Sequence, residues 1–495
     1  MKISTNSAAA VLLTGAFLAT SCANDVETSV NTDPQGNAIS FTASVGRSSR
    51  ATEIKLDNLG DFAVVAKGIH PEGTLYNSYL IGDANGGEIA HFKDLTGSGK
   101  DQYGTWTLDR SVYWPTSLDR VLFIGYTTLK RGADNKSENS EGGVLGDATF
   151  SITSDKPTIA NFKPLKCALT ANDADNSDEI WADGEGQKDL LVAFKDMVRG
   201  SNTTVKLQFR HALTQLSVTA SQGDLDANDD HRIVKVKGAW IVNAAESGTL
   251  SATIESKKVD NKITVTNKTT WTPSGTATYG TYYDGIRELN GTTTTDILSK
   301  SLMLVPQSLT KWNKSETDKG AYIMLLCRIE LKHSGATHTG SDITDIAIEG
   351  NNHYHQLFPV NATYDGSQYG FVCVPIDTDW ADASTDTNAP DCKGAGKHYT
   401  YNLDICGKNS GAGIYPPTPE KDKLIPSGAT VEALVLKDGN YEKQTVTLSV
   451  VDRPSGKNVG DAVLDDPIMF SVTVADWTDD SGEWKDGTES NASED

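Results

Sequence analysis

At 495 residues the chain has room for two to four domains, each with a core of its own. The formal net charge is −22 and no Lys/Arg-rich block interrupts the acidity, so the positive footprint that nucleic-acid binding needs is missing. Six cysteines without a C-x-x-C pair are too sparse for a disulfide scaffold.

Lys2 is followed by an apolar run over residues 8–19 that leads to Ser21-Cys22. A run this short with a positive flank reads as a secretory signal and not as a spanning helix. A small residue and then Cys has the form of a bacterial lipoprotein box, with Cys22 taking the lipid after cleavage. Thr20 and Ser21 stand where Gly or Ala is commoner, and the alternative is an ordinary signal with an incidental Cys. No second run is long enough to cross a bilayer. Residues 322–331 (YIMLLCRIEL) come nearest, and Arg328 and Glu330 interrupt them.

In residues 38–52, Ile39, Phe41, Ala43 and Val45 alternate with Ser40, Thr42 and Ser44, the period-2 pattern of a half-buried strand. A polar run carrying Arg47 and Arg50 follows at once, where a protease can reach the chain. Cutting there removes the first strand and leaves an open sheet edge.

Further strands are expected at 62–66, 121–126, 190–194, 205–209, 233–236, 302–305, 371–374, 399–405 and 446–451. These segments are rich in Val, Ile, Thr, Tyr and Phe and are bounded by Gly, Asn, Asp and Pro. Helical periodicity is nearly absent, with one short turn expected at 296–302. Many short strands between turn signals indicate β-sandwiches, and the length asks for two in series. The expected divisions are a signal over 1–22, a pro-segment with the removable strand over 23–50, sandwiches over 51–200 and 201–477, and an acidic disordered tail over 478–495. The boundary is set at the polar break Arg199-Gly200-Ser201-Asn202. Residues 130–143, 171–186 and 378–396 read as long polar loops.

Catalytic patterns fail. Gly97-Ser98-Gly99-Lys100 lacks the earlier Gly of a phosphate loop and continues with Asp101, and there is no G-x-S-x-G elbow. Asp480-Ser481-Gly482 has no partner to complete a carboxylate dyad. Asp173, Asp175 and Asp178, like Asp224, Asp226 and Asn228, have calcium-loop spacing, but the twelfth positions are Gly184 and Lys235 where Glu is needed. His353 and His355 would share a strand face without an evident third ligand. No catalytic residue, metal site or cofactor is expected. Trp106, Tyr113, Trp114 and Tyr126 can be read as a glycan-stacking platform or as sandwich core and rim, the rim-and-core reading being preferred. Cys327 and Cys373 lie in apolar strand runs as small core residues, and Cys392 with Cys406 is a candidate hairpin pair.

Trp106…Val112-Tyr113-Trp114-Pro115 followed by Val121-Leu122-Phe123-Ile124-Gly125-Tyr126 resembles the W…YWP…L.F.AY signature of fimbrillin-like proteins. Asp189-Leu190-Leu191-Val192-Ala193 and Val205-Lys206-Leu207-Gln208-Phe209-Arg210-His211 are similar to the same family's DLL.A … V.L.F.H block. Leu304-Val305-Pro306-Gln307, Gly396-Lys397-His398-Tyr399-Thr400-Tyr401 and Val472-Thr473-Val474-Ala475-Asp476-Trp477 match its later segments in order. The resemblance implies a type V pilin of Bacteroidetes surface lipoproteins, with two tandem transthyretin-like β-sandwiches. It further implies lipid on Cys22, trimming after Arg47 or Arg50, loss of the Ile39–Phe41–Ala43–Val45 strand, and its replacement by a strand of another fimbrial subunit. The implied location is the outer-membrane surface, then the fimbrium. Ile468, Phe470, Val472 and Val474 repeat the first strand's alternation, either as a donor for that groove or as the last strand of their own domain. A stalk subunit and a tip or accessory subunit both remain open. The alternative class is a surface lipoprotein that binds glycans for adhesion or nutrient capture.

Overall fold

The computed structural model describes residues 38–45, 56, 59–97, 103–127, 145, 147–153, 155–164, 187–200, 204–222, 231–259, 262–289, 291–298, 301–334, 347–349, 352–360, 366–378, 380, 395–407, 409–438, 440–464 and 466–476. Among them are β1 (Ser40–Val45), β2 (Phe62–Ile69), β3 (Leu75–Ile81), β4 (Glu88–Thr96), β5 (Tyr103–Leu108) and β6 (Arg120–Thr127). Next come β7 (Thr149–Thr153), β8 (Lys156–Phe162), β9 (Leu191–Val198), β10 (Thr204–His211) and β11 (Thr214–Ser221). They are followed by β12 (His231–Ala244), β13 (Ser247–Val259), β14 (Lys262–Ser274), β15 (Ala277–Leu289), β16 (Thr295–Asp296) and β17 (Leu302–Leu304). The remainder are β18 (Tyr322–Ser334), β19 (Ala347–Glu349), β20 (Asn352–Phe358), β21 (Gln368–Pro375), β22 (Lys397–Asp404), the helical turn α1 (Lys421–Leu424), β23 (Thr430–Lys437), β24 (Asn440–Thr447), β25 (Ser449–Val450) and β26 (Met469–Asp476). The fold is all-β, as the strand patterns predict.

β2, FAVVAKGI, is buried at every position and has neighbours at both edges. One edge pairs with β6 along its length, and the other pairs first with β4 and then with β3. The path β2-β4-β5-β1-β10-β9-β6 therefore returns to β2 and closes seven strands into a ring, with β3 appended. Inside it Phe62 lies 4.9 Å from Phe209 and 5.2 Å from Trp106, ring centre to ring centre. Such tilted aromatic contacts add to the burial of the rings themselves.

The chain leaves this ring at Ala212-Leu213, beyond the 200/201 boundary expected from the sequence. The polar break at 199–202 is the connection between β9 and β10, which pair antiparallel in the same sheet. β10 belongs there because Val205, Leu207 and Phe209 alternate into the ring's core.

Two sheets follow, β16-β11-β22-β26 with β17 on β11, and β15-β12-β18-β20-β19 with β21 on β18. Between them Leu216, Val218, Tyr399 and Tyr401 meet Val234, Ile323 and Leu325. A third layer covers the opposite face of β12 and β18, where Trp240, Tyr322, Met324 and Leu326 pack with Trp312, Ile414, Leu424 and Val431. β18 is thus buried on both faces, which is why its sequence reads as a continuous apolar run and not as an alternation.

The long hairpin β13–β14 reaches back to β8 and forms the sheet β14-β13-β8-β7 with strands of the first half. Trp271 Nε1 donates to the Ala212 carbonyl at 2.6 Å, at the crossover between the two cores. Of the turn expected at 296–302, the described residues 296–298 and 301–302 are not helical. Asp296 Oδ1 instead accepts from the Leu298 amide at 3.0 Å, a local side-chain bond that competes with helix formation. The run expected at 446–451 is split between β24 and β25.

Candidate functional site

β1 is a stave in the interior of the ring. It runs parallel to β10, with six residue pairs from Ser40↔Thr204 to Val45↔Phe209, and antiparallel to β5 through Phe41↔Trp106, Thr42↔Thr105 and Ala43↔Gly104. The alternation read from the sequence decides which face points inward. Ile39, Phe41, Ala43 and Val45 are buried, with Phe41 at 0% exposure. Phe41 meets Phe62 and Phe123 edge-on at 6.3 and 6.2 Å. Ser40 Oγ lies 3.2 Å from Thr204 Oγ1, and the Ile39 amide donates to the Val112 carbonyl at 2.7 Å.

The walls of the slot account for the sequence motifs. Trp106 is fully buried on β5 and its Nε1 donates to the Gly60 carbonyl at 3.0 Å. Gly104, opposite Ala43, leaves room for that indole, since a Cβ there would stand 2.2 Å from the ring. Trp114 is half-buried and donates to the Leu118 carbonyl at 2.7 Å. The glycan-platform reading of these aromatics does not hold for Trp106 and Tyr126, which are 0% and 4% exposed and belong to the core. On the other wall His211 Nδ1 donates to Asp189 Oδ1 at 3.0 Å, with both side chains buried. Thr127 Oγ1 ties down the same segment, accepting from the Leu191 amide at 3.0 Å. The Asp-Leu-Leu and His motifs therefore hold β9 and β10 together beside β1.

β1 ends at Val45 and lies wholly N-terminal of Arg47 and Arg50. These two arginines, Cys22, Cys167, Cys392, the calcium-like spacings at 173–178 and 224–228, and residues 477–495 lie outside the described residues.

The second apolar alternation occupies a different environment. Among the described residues β26 pairs with β22 alone, from Asp404↔Met469 to Lys397↔Asp476, and ends its sheet. Ile468 is buried, Phe470 and Val472 are half-buried, and Val474 is 50% exposed.

Two further features went unread or half-read in the sequence. His333 on β18 joins His353 and His355, and its Nε2 lies 2.8 Å from that of His355. Among the described residues no group of three or more His, Cys, Asp or Glu is placed to hold a metal ion. The Arg328–Glu330 interruption of the apolar run marks a cavity of about 780 Å³ between the β12–β18 sheet and the β23–β24 hairpin. Cys327 and Cys373 are buried, and burial pushes both thiols up, so they stay protonated core residues. No helix of the described residues is long and apolar enough to cross a membrane.

Solved structures align with much of the chain at low identity. A candidate cell adhesion protein from Bacteroides uniformis is 11% identical, with 90% of this chain and 100% of that one covered and a TM-score of 0.30. A fimbrial assembly protein from Parabacteroides distasonis is 6% identical, covering 74% and 91%, with a TM-score of 0.27. The fimbrial anchor protein Mfa2 from Porphyromonas gingivalis is 9% identical, covering 74% and 89%, with a TM-score of 0.21. No curated protein sequence matches the chain. A family model described as Fimbrillin-like, in contrast, matches residues 47–477, nearly all of the sequence beyond β1. With the motifs of both slot walls inside that match, the chain belongs to the fimbrillin-like family.

Proposed function

We propose that this chain is a structural subunit of a cell-surface fimbria and that β1 holds the place of a strand from a neighbouring subunit. In this reading the precursor is exported as a lipoprotein through Cys22 and cut after Arg47 or Arg50. The cut releases β1 with the lipidated segment and opens a slot between β5 and β10. The observation that carries the reading is the position of β1: an interior strand, bonded on both edges, that precedes both candidate cleavage sites.

The energetics suit a durable joint. Four apolar side chains at about 1.5–3 kcal/mol each give about 6–12 kcal/mol gross for an incoming strand. Ladder hydrogen bonds add about 0.5–1.5 kcal/mol apiece. Part of this offsets the loss of freedom on association. The mode is strand addition, with backbone bonds supplying affinity and alternate side chains supplying selectivity. β26 is the candidate donor, and in the other reading it is the closing strand of an accessory or tip subunit.

The test is an R47A/R50A double substitution expressed in the native cell. The expected result is a chain that keeps residues 38–45 by mass and fails to enter dissociation-resistant polymers. Polymers in the same amount as the parent, built from chains that still carry β1, would overturn the proposal.

A further inference from the structure

The cavity over β18 has the composition of a binding site. Its floor is the charged end of the third-layer face, where Lys235 on β12 is registered with Arg328 on β18 and with Glu288 on β15. Its roof is the β23–β24 hairpin, fixed at its base by Lys237 Nζ donating to the Thr430 carbonyl at 3.2 Å. Arg328 is 1% exposed. Its Nε lies 2.6 Å from Glu330 Oε1, while Lys235 Nζ donates to Glu330 Oε2 at 2.8 Å. Two cations share one carboxylate, so this triad, with Arg328 and Glu330 buried and Lys235 half-buried, carries a net charge of about +1 (two positive, one negative) inside a chain of −22. Among the described residues Arg328 Nη1, also buried, has no hydrogen-bond partner.

A buried guanidinium with an unmet donor costs stability unless an acceptor is supplied. The acceptor that matches its planar fork and cancels a single charge is a carboxylate. The rest of the lining suits hydroxyl groups: Glu288, Glu432, Lys443 and Thr445 offer donors and acceptors of both kinds, and Tyr369 and Tyr354 supply ring surface. Burial pushes the Tyr369 phenol up, so it remains a neutral hydroxyl. The volume of about 780 Å³ admits a ligand of more than one ring. We infer that this cavity binds an acidic saccharide, its carboxylate on Arg328 and its hydroxyls on the hairpin and sheet walls.

The inference does not depend on the β1 reading, because the cavity is lined by residues from Gln222 onward. It is tested by calorimetric titration of the full chain with glucuronate and with glucose as the uncharged control. Glucuronate is expected to bind at least tenfold more tightly than glucose. R328Q is expected to abolish that preference. K332E, at the half-buried rim, keeps the core intact and is expected to weaken glucuronate at least threefold, should R328Q fail to fold. Equal binding of the two sugars, no binding of either, or an unchanged preference in K332E would each overturn the proposal.

Discussion

β1 and β26 carry nearly the same apolar alternation, Ile-x-Phe-x-Ala-x-Val and Ile-x-Phe-x-Val-x-Val. In β1 all four inward side chains are buried and both edges are bonded. In β26 only Ile468 is fully buried, Val474 is half exposed, and among the described residues the one bonded neighbour is β22. One pattern thus serves a closed slot and an open edge. The difference lies in what surrounds the strand, since period-2 alternation fixes the inward face and leaves the neighbours unspecified.

The largest expected effect breaks the symmetry between them. F41A removes a ring wedged against Phe62 and Phe123 and is expected to destabilise the uncut chain by about 3–5 kcal/mol, the usual range for a buried Phe. F470A removes a half-covered ring and is expected to cost about 1–2 kcal/mol. Urea unfolding of both variants checks this, and equal losses would mean that β26 is as deeply engaged as β1.

G104A comes next. The new Cβ meets the Trp106 indole on the wall against Ala43, so the ring must move or the β1–β5 pairing must loosen. The expected loss is about 1–3 kcal/mol, the range for overpacking. A synthetic peptide of residues 38–46 should also bind a chain lacking β1 more weakly when that chain carries G104A. Fluorescence anisotropy of the labelled peptide measures it. Unchanged peptide affinity would show that the β5 edge contributes nothing to holding β1.

The same limit on periodicity explains what was legible. The all-β class, the inward face of β1 and the core role of Cys327 and Cys373 follow from alternation and residue type. The parallel partner of β1 does not, because β10 lies far along the chain and parallel pairing leaves no local turn signal. The boundary at 200/201 was set on composition, at a polar break between β9 and β10, which pair in one sheet. The β13–β14 arm was missed because SGTLSATIESKKV and KITVTNKTTWTPS are largely polar, and their order comes from pairing with each other and with β8. Arg328 and Glu330 were visible only as an interruption. Opposite charges two residues apart share one strand face, and on a strand buried on both sides that places them together on the floor of the cavity under the β23–β24 hairpin.

The smallest expected effect on the isolated chain is the most informative about β26. Val474 is half exposed near the end of an edge strand, so V474D removes little packing and leaves the Tyr399↔Val474 backbone pairing available. Its expected cost to the monomer is within about 0.5 kcal/mol, as for surface substitutions away from special features. If β26 leaves its sheet to fill a neighbour's slot, position 474 would take the place of Val45, which is 8% exposed against Phe209 in β10. A carboxylate there would be desolvated without a partner, and polymer yield should fall at least tenfold while monomer stability stays level. A level yield with level stability would assign β26 to its own sandwich permanently, and the chain would then accept a strand without giving one.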